Sequence, residues 1–238
     1  MTDFTNVTNL LRAALDDPAR PAKELRRDAS SKPAEVLQFV GFAPGMNVLD
    51  VNAASGYNTE LVARIVGDRG RVIAHNHPGA ARLLSPQDLQ RRYGDERLPN
   101  TKQIWARHND LNLTSASLDA VLMSMIYHDT YWFDAKVAWG PVDQRAMLLD
   151  LRNALRPGGV IGVIDHYASA GSDPVQSAMA AHRIDPAIVR RDFLAAGFEL
   201  AAESQLLRSS DDDYALSVFD AAVHGKTDRF VMRFRRPS

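Results

Sequence analysis

Apolar positions along the chain fall into two rhythms. Within residues 5–16, Val7, Leu10, Leu11, Ala14 and Leu15 recur at helical spacing, which predicts a short amphipathic helix that Pro18 and Pro21 break. Residues 20–29 and 33–40 read as two further helices, with Ser31 as a candidate cap for the second. A turn at Gly41-Phe42-Ala43-Pro44-Gly45 then leads into short apolar runs. These predict strands at 46–51, 71–74, 103–106, 118–125, 160–164, 198–207 and 229–234. Helical segments at 59–66, 85–93, 142–155 and 185–197 alternate with them, two opening on Ser85-Pro86 and Asp185-Pro186. Alternation of this kind predicts an α/β class: a doubly wound, mostly parallel sheet covered on both faces. The last two strands have no helix between them and are expected to pair antiparallel.

Composition narrows the class. Across 238 residues, 45% apolar and 24% charged positions describe a chain able to bury one large core. A formal net charge of -1 gives no reason to expect nucleic acid or an anionic membrane as partner. The absence of cysteine excludes disulfides, thiolate catalysis and thiolate metal sites. No signal-like apolar run opens the chain, and none approaches the roughly 18 apolar residues of a membrane span. The expected compartment is therefore the cytoplasm. Residues 1–32 are expected as a helical extension, either a lid or a homodimer contact, ahead of an α/β domain over 33–238.

The densest signal is Val48-Leu49-Asp50-Val51-Asn52-Ala53-Ala54-Ser55-Gly56-Tyr57. An apolar strand ends at an acid, a turn of small residues follows, and a helix opens near Thr59. Such turns use glycine to reach positive φ and to let a ligand approach the backbone. Here only Gly56 stands, with Asn52, Ala54 and Ser55 in the neighbouring places; asparagine tolerates left-handed backbone, so the turn can still form.

Ser117-Leu118-Asp119-Ala120-Val121, Leu155-Arg156-Pro157-Gly158-Gly159 and Phe193-Leu194-Ala195-Ala196-Gly197-Phe198 punctuate the later elements. With the turn, this order resembles the class I S-adenosylmethionine (SAM) methyltransferase fold over residues 33–236. Tyr127-His128-Asp129-Thr130-Tyr131-Trp132, Ile164-Asp165-His166, His182-Arg183-Ile184-Asp185 and Asp211-Asp212-Asp213 also resemble a bacterial group of predicted methyltransferases. The resemblance implies a Rossmann-like seven-stranded sheet with an antiparallel last strand, and SAM as cofactor. It implies cofactor-binding places at Asp50, Asn52, Ala54, Ser55 and Gly56. Asn76 and Asp110 stand where the family often holds acids for the ribose and for adenine. An asparagine at 76 makes at most one comparable acceptor contact. The same substitutions leave a second outcome open, a site that has lost SAM and works by other chemistry.

Ligands of doubly wound sheets sit beyond the carboxyl ends of the strands. The fourth and fifth predicted strands end at Tyr127-His128-Asp129 and Asp165-His166, so two His/Asp pairs converge on one crevice. Histidine titrates near neutrality and a neighbouring carboxylate orients it. His128 is the expected base, oriented by Asp129 or Asp165, with His166 and Tyr127 completing the catalytic set. Tyr131, Trp132 and His182 are the expected substrate contacts, and the aromatic surface suits a planar or phenolic molecule. The expected function is SAM-dependent methyl transfer to a small aromatic molecule. The alternative is a SAM-independent lyase or isomerase using the same His/Asp/Tyr set. A divalent metal on Asp129, Asp165 and an imidazole is chemically feasible but not favoured, because no tight ligand spacing appears. Asp211-Asp212-Asp213 reads as a solvated loop, and Arg82, Arg91, Arg92 and Arg97 as solvated surface.

Overall fold

The computed structural model describes residues 4–238, with side chains from Val7 onward. Met1 to Asp3, where the expected extension begins, lie outside the described residues. Three helices, α1 (Phe4–Leu15), α2 (Ala22–Ser31) and α3 (Pro33–Val40), precede β1 (Asn47–Val51). Then follow α4 (Tyr57–Val66), β2 (Arg71–Asn76), α5 (Pro86–Tyr93), β3 (Thr101–Trp105) and β4 (Leu118–Ser124). The chain continues through α6 (Gln144–Ala154), β5 (Leu155–His166), α7 (Pro174–Ala181) and α8 (Pro186–Ala195). It closes with β6 (Glu199–Ser204) and β7 (Arg229–Arg235). The seven strands lie in the order β3-β2-β1-β4-β5-β7-β6. β7 runs antiparallel to both β5 and β6, and the other pairs are parallel.

Successive strand residues face opposite sides, and both sides are apolar. Leu49, Val51, Val121 and Met123 pack with α6 and α8 through Met147, Leu151 and Phe193. Val48, Ala120 and Leu122 pack on the other face with Leu11, Leu37, Leu61 and Ile65 of α1, α3 and α4. The strand order reverses beside β1, between β1 and β4, so the turn after β1 and the ends of β4 and β5 open on one crevice.

Four local expectations change. Ser31 does not cap α3; it is the last residue of α2, and Lys32, at φ 42°, turns the chain so that Pro33 starts the next helix. β5 begins at Leu155 rather than at Val160: the Pro-Gly-Gly segment, with Gly158 at φ 80°, bulges out between the Leu118–Leu155 and Ala120–Val160 pairs and the strand then resumes. α7 was absent from the expected elements. Its signal is in the sequence: Asp173 caps it by accepting from Gln176 N at 2.8 Å, and Pro174 occupies the first position.

The fourth change concerns charge. Asp212 is not in a solvated loop, since its carboxylate is fully buried and takes two bonds from Arg183, at 2.7 and 2.8 Å. Arg183 also donates to the carbonyls of Tyr167 and Leu216, which ties the segment ahead of β7 to β5. Arg92 is likewise buried, paired with Glu24 and Glu60. Arg91 does stand in solvent, with half its side chain exposed.

Breaking a buried bidentate pair strands one charge, at about 3–5 kcal/mol. Arg183→Met is expected to lower urea-unfolding stability by that amount, and adding Asp212→Leu to recover part of the loss. A single variant as stable as the parent would contradict the role given to this pair.

Candidate active site

β4 ends in a short 3-10 turn, His128–Thr130, and β5 ends at Asp165-His166. Asp165 is fully buried. Its Oδ2 accepts from the His128 backbone N–H at 2.9 Å, and its Oδ1 accepts from His128 Nδ1 at 2.7 Å and from the His166 N–H at 2.8 Å. His128 Nε2 faces Asp129 Oδ1 at 3.2 Å, and His182 Nδ1 lies 3.6 Å from the same oxygen. Burial by itself would lower the His128 pKa. Asp165 and Asp129 outweigh it and raise the value to about 10, so at neutral pH His128 is an imidazolium that donates to both. Burial opposes ionisation of Asp129 as well, but His128 and His182 hold its carboxyl well below the usual range. The expected base thus carries its proton already and is placed to act as an acid.

His166 has the opposite character. Burial lowers its pKa to about 3, and its buried Nδ1 has no hydrogen-bond partner. Its ring centroid is 6.1 Å from that of His128. Neighbouring groups whose environments push their pKa values apart are the pattern of an acid and a base.

These side chains line a cavity of about 1210 Å3. Trp132, Trp139 and Phe219 supply apolar wall, α2 forms one side, and Val218 to Arg229 form another. His182 lies between these groups, edge-on to His128 at 5.4 Å and to Phe219 at 4.9 Å. Trp132 sits beside His182, at 5.7 Å. Tyr127 and Tyr131 do not reach the cavity. Both hydroxyls donate to Asp192 of α8, at 2.9 and 2.5 Å, and the Tyr127 ring packs on Phe193. The backbone direction at the end of β4 sends them to the other face of the sheet. Among the described residues, His128, Asp129 and His182 bring ligand atoms within 4.8 Å of one another, the set that could hold a divalent ion.

The turn after β1 is built differently from a nucleotide cradle. Asn52 and Ala54 keep positive φ, 49° and 51°, but their polar groups are spent within the protein. Ala54 N donates to Asn76 Oδ1 at 2.8 Å, and Asn76 Nδ2 donates back to Ala54 O at 3.1 Å. Asn52 Oδ1 accepts from His77 N at 3.1 Å, while its Nδ2 lies 3.0 Å from His108 Nε2. His77 stacks on His108, with centroids 5.4 Å apart, and on Trp139 at 4.2 Å. A Cβ on Gly56 would stand 2.5 Å from the Tyr93 hydroxyl, so α5 rather than a ligand fills that space. Arg92 donates to Ser55 O at 3.1 Å from the same helix. Asp50 is buried under the turn, accepts from Thr59 Oγ1 at 2.6 Å, and is pushed up to about 7 by burial. Asp110 is exposed and away from the cavity. Of the seven residues expected at the cofactor, only Ser55 borders the cavity. The residues present do not fit the nucleoside half of SAM, because Asn76, expected at the ribose, is bonded to the Ala54 backbone and Asp110, expected at adenine, is exposed.

The family model for protein-L-isoaspartate(D-aspartate) O-methyltransferase matches residues 18–96, less than half of the chain. No curated protein matches. Among solved structures, a SAM-dependent methyltransferase from Aquifex aeolicus superposes with TM-score 0.60 at 18% identity, covering 96% of this chain and 97% of its own. An arsenic(III) SAM methyltransferase from Chlamydomonas reinhardtii gives 0.59 at 18% identity, covering 96% and 73%. The cyclase SpnF gives 0.62 at 15% identity, covering 98% and 93%. With the observed strand order, these likenesses define the class: the chain has the class I SAM-dependent methyltransferase fold.

Arg27, Trp139, Phe219 and Arg229 line the cavity and were not among the sequence candidates. Trp139 and Phe219 lie in irregular segments without a motif, and Arg27 and Arg229 sit on regular elements whose pattern says nothing of a cavity.

The histidines give stability a two-sided dependence on pH. His75, His108 and His166 have pKa values lowered, chiefly by burial, from 6.5 to about 4, 3 and 3. Their contribution is complete above pH 6.5 and is lost as pH falls toward 3. The raised His128 contributes fully below pH 6.5, and that contribution is lost as pH rises toward 10. Urea-unfolding stability is expected to peak near neutrality, and Asp165→Asn to flatten its alkaline side. A curve still rising between pH 7 and 10 would contradict the charge assigned to His128.

Proposed function

We propose that this chain is an enzyme acting on a small molecule by proton transfer at the His128 crevice. On this reading it is a lyase or isomerase built on a methyltransferase fold. One observation carries it: the His128 ring, held between the Asp165 and Asp129 carboxylates, stands 6.1 Å, ring to ring, from buried His166, whose Nδ1 has no partner, both on one cavity wall. His128 Nδ1 is committed to Asp165, so the proton on Nε2, beside Asp129, is the one a ligand reaches. His166, on the same wall, accepts a proton from the bound molecule. His182 lies 3.6 Å from the Asp129 carboxylate and helps to position it. Trp132, Trp139 and Phe219 exclude water and favour a planar, aromatic substrate. That the fold hosts chemistry other than methyl transfer has a precedent in the cyclase SpnF.

SAM-dependent methyl transfer to a small aromatic molecule is the second reading. It is favoured by the family-model match across the turn and by Ser55 on the cavity wall. The two readings separate on binding alone. Calorimetric titration with SAM and S-adenosylhomocysteine up to millimolar concentration is expected to give no heat of binding, and Asn52→Gly with Ala54→Gly to gain none. Micromolar binding of either compound would overturn the first reading in favour of the second. Once a substrate is found, His128→Asn and His166→Asn should each lower kcat by about 10²–10⁴-fold, the range for a lost acid or base.

A further inference from the structure

We infer that the crevice binds its substrate through an oxyanion, a carboxylate or phosphate, clasped between Arg27 and Arg229 beside His166. The assignment rests on the crevice being a catalytic pocket and names the class of molecule it takes. Arg229 opens β7 directly opposite His166 in the antiparallel ladder, so the two side chains leave the sheet on the same face. Arg229 is 7% exposed; its Nη2 donates to Ser30 O at 2.7 Å, and its buried Nε has no partner. Arg27, half-buried on α2, donates from Nε to Ser31 Oγ at 3.3 Å and lies over the Tyr57 ring at 4.1 Å. Both line the cavity, and neither is in an ion pair among the described residues.

The acids near them already have partners of their own, with only Glu24 Oε2 left over. Asp28 is held by Arg20 through two bonds, and Glu24 by Arg92. Asp228 receives Arg208, Ser209 N and Tyr214, while Asp212 receives Arg183. Asp50 is bonded to Thr59 and raised in pKa, and Asp165 serves His128. Buried Arg229 and half-buried Arg27 thus line one cavity without a direct ion pair, an arrangement that a bound anion would stabilise. The unpartnered Nε of Arg229 and Nδ1 of His166 supply hydrogen-bonding positions for that group. Guanidinium recognises planar carboxylates and phosphates well. An aromatic acid seated there would lay its ring along the apolar wall formed by Trp132, Trp139 and Phe219.

Inorganic phosphate, benzoate and the neutral isostere benzamide test this by calorimetry on the full chain. Benzoate or phosphate should bind at least tenfold more tightly than benzamide. Arg27→Met and Arg229→Met should each weaken that binding at least tenfold, and each should raise the Tm of the ligand-free protein by relieving an uncompensated charge. Arg91→Met, at an exposed arginine outside the cavity, should leave anion binding within twofold, so loss of net positive charge and loss of the cradle are read separately. Equal affinity for benzoate and benzamide, or arginine variants that bind anions unchanged, would overturn the inference. So would binding of S-adenosylhomocysteine that needs Arg27 while benzoate and phosphate do not bind, because the cradle would then hold an amino-acid tail.

Discussion

Asp165 brings a carboxylate to the end of β5, where no water reaches it. A buried carboxylate persists only if donors surround it, and three do: two backbone N–H groups and the His128 ring. The first two are fixed by the register of β4 and β5, so the third must carry the charge. Its proton is therefore part of the fold as much as of the chemistry. With Nδ1 so committed, the second ring proton is presented to Asp129, and Asp129 in turn collects His182. The geometry of the crevice follows from that one pair.

The rest of the molecule satisfies its charges locally, which makes the exceptions informative. Arg20, Arg92, Arg183 and Arg208 each find a carboxylate, and those pairs fasten α2, α5 and the segment ahead of β7 around the cavity. The turn after β1 is also closed on itself, through Asn76 and Asn52. On the cavity wall, Arg229 Nε and His166 Nδ1 are buried without a partner and Arg27 stands outside any ion pair among the described residues, while other unpartnered atoms such as His108 Nδ1 and Arg233 Nε lie elsewhere.

Much of this was legible in the sequence. Apolar runs gave seven strands, Asp185-Pro186 and Ser85-Pro86 marked helix starts, and His128, Asp129, Asp165 and His166 meet because strand ends converge. Asp173-Pro174 carried the same start signal, but the helix after it lacks a strong apolar stripe and did not stand out. Other features depend on contacts between residues far apart in the chain. Nothing local in Asn76 says that its amide will clasp Ala54 rather than a ribose. Arg92 looks like a surface residue until α5 is laid against Glu24 and Glu60. Tyr127 belongs to a motif-like string, yet the helical turn after β4 points it toward Asp192. The charge of His128 needed both carboxylates in place before its sign could be read.

The ring nitrogens of His128 report on this account without any substrate. Nitrogen-15 NMR of the histidine side chains at pH 8 should show both of its nitrogens protonated, and neutral-imidazole signals for His166. A neutral His128 at that pH would remove the acid from the proposed pair and with it the central claim.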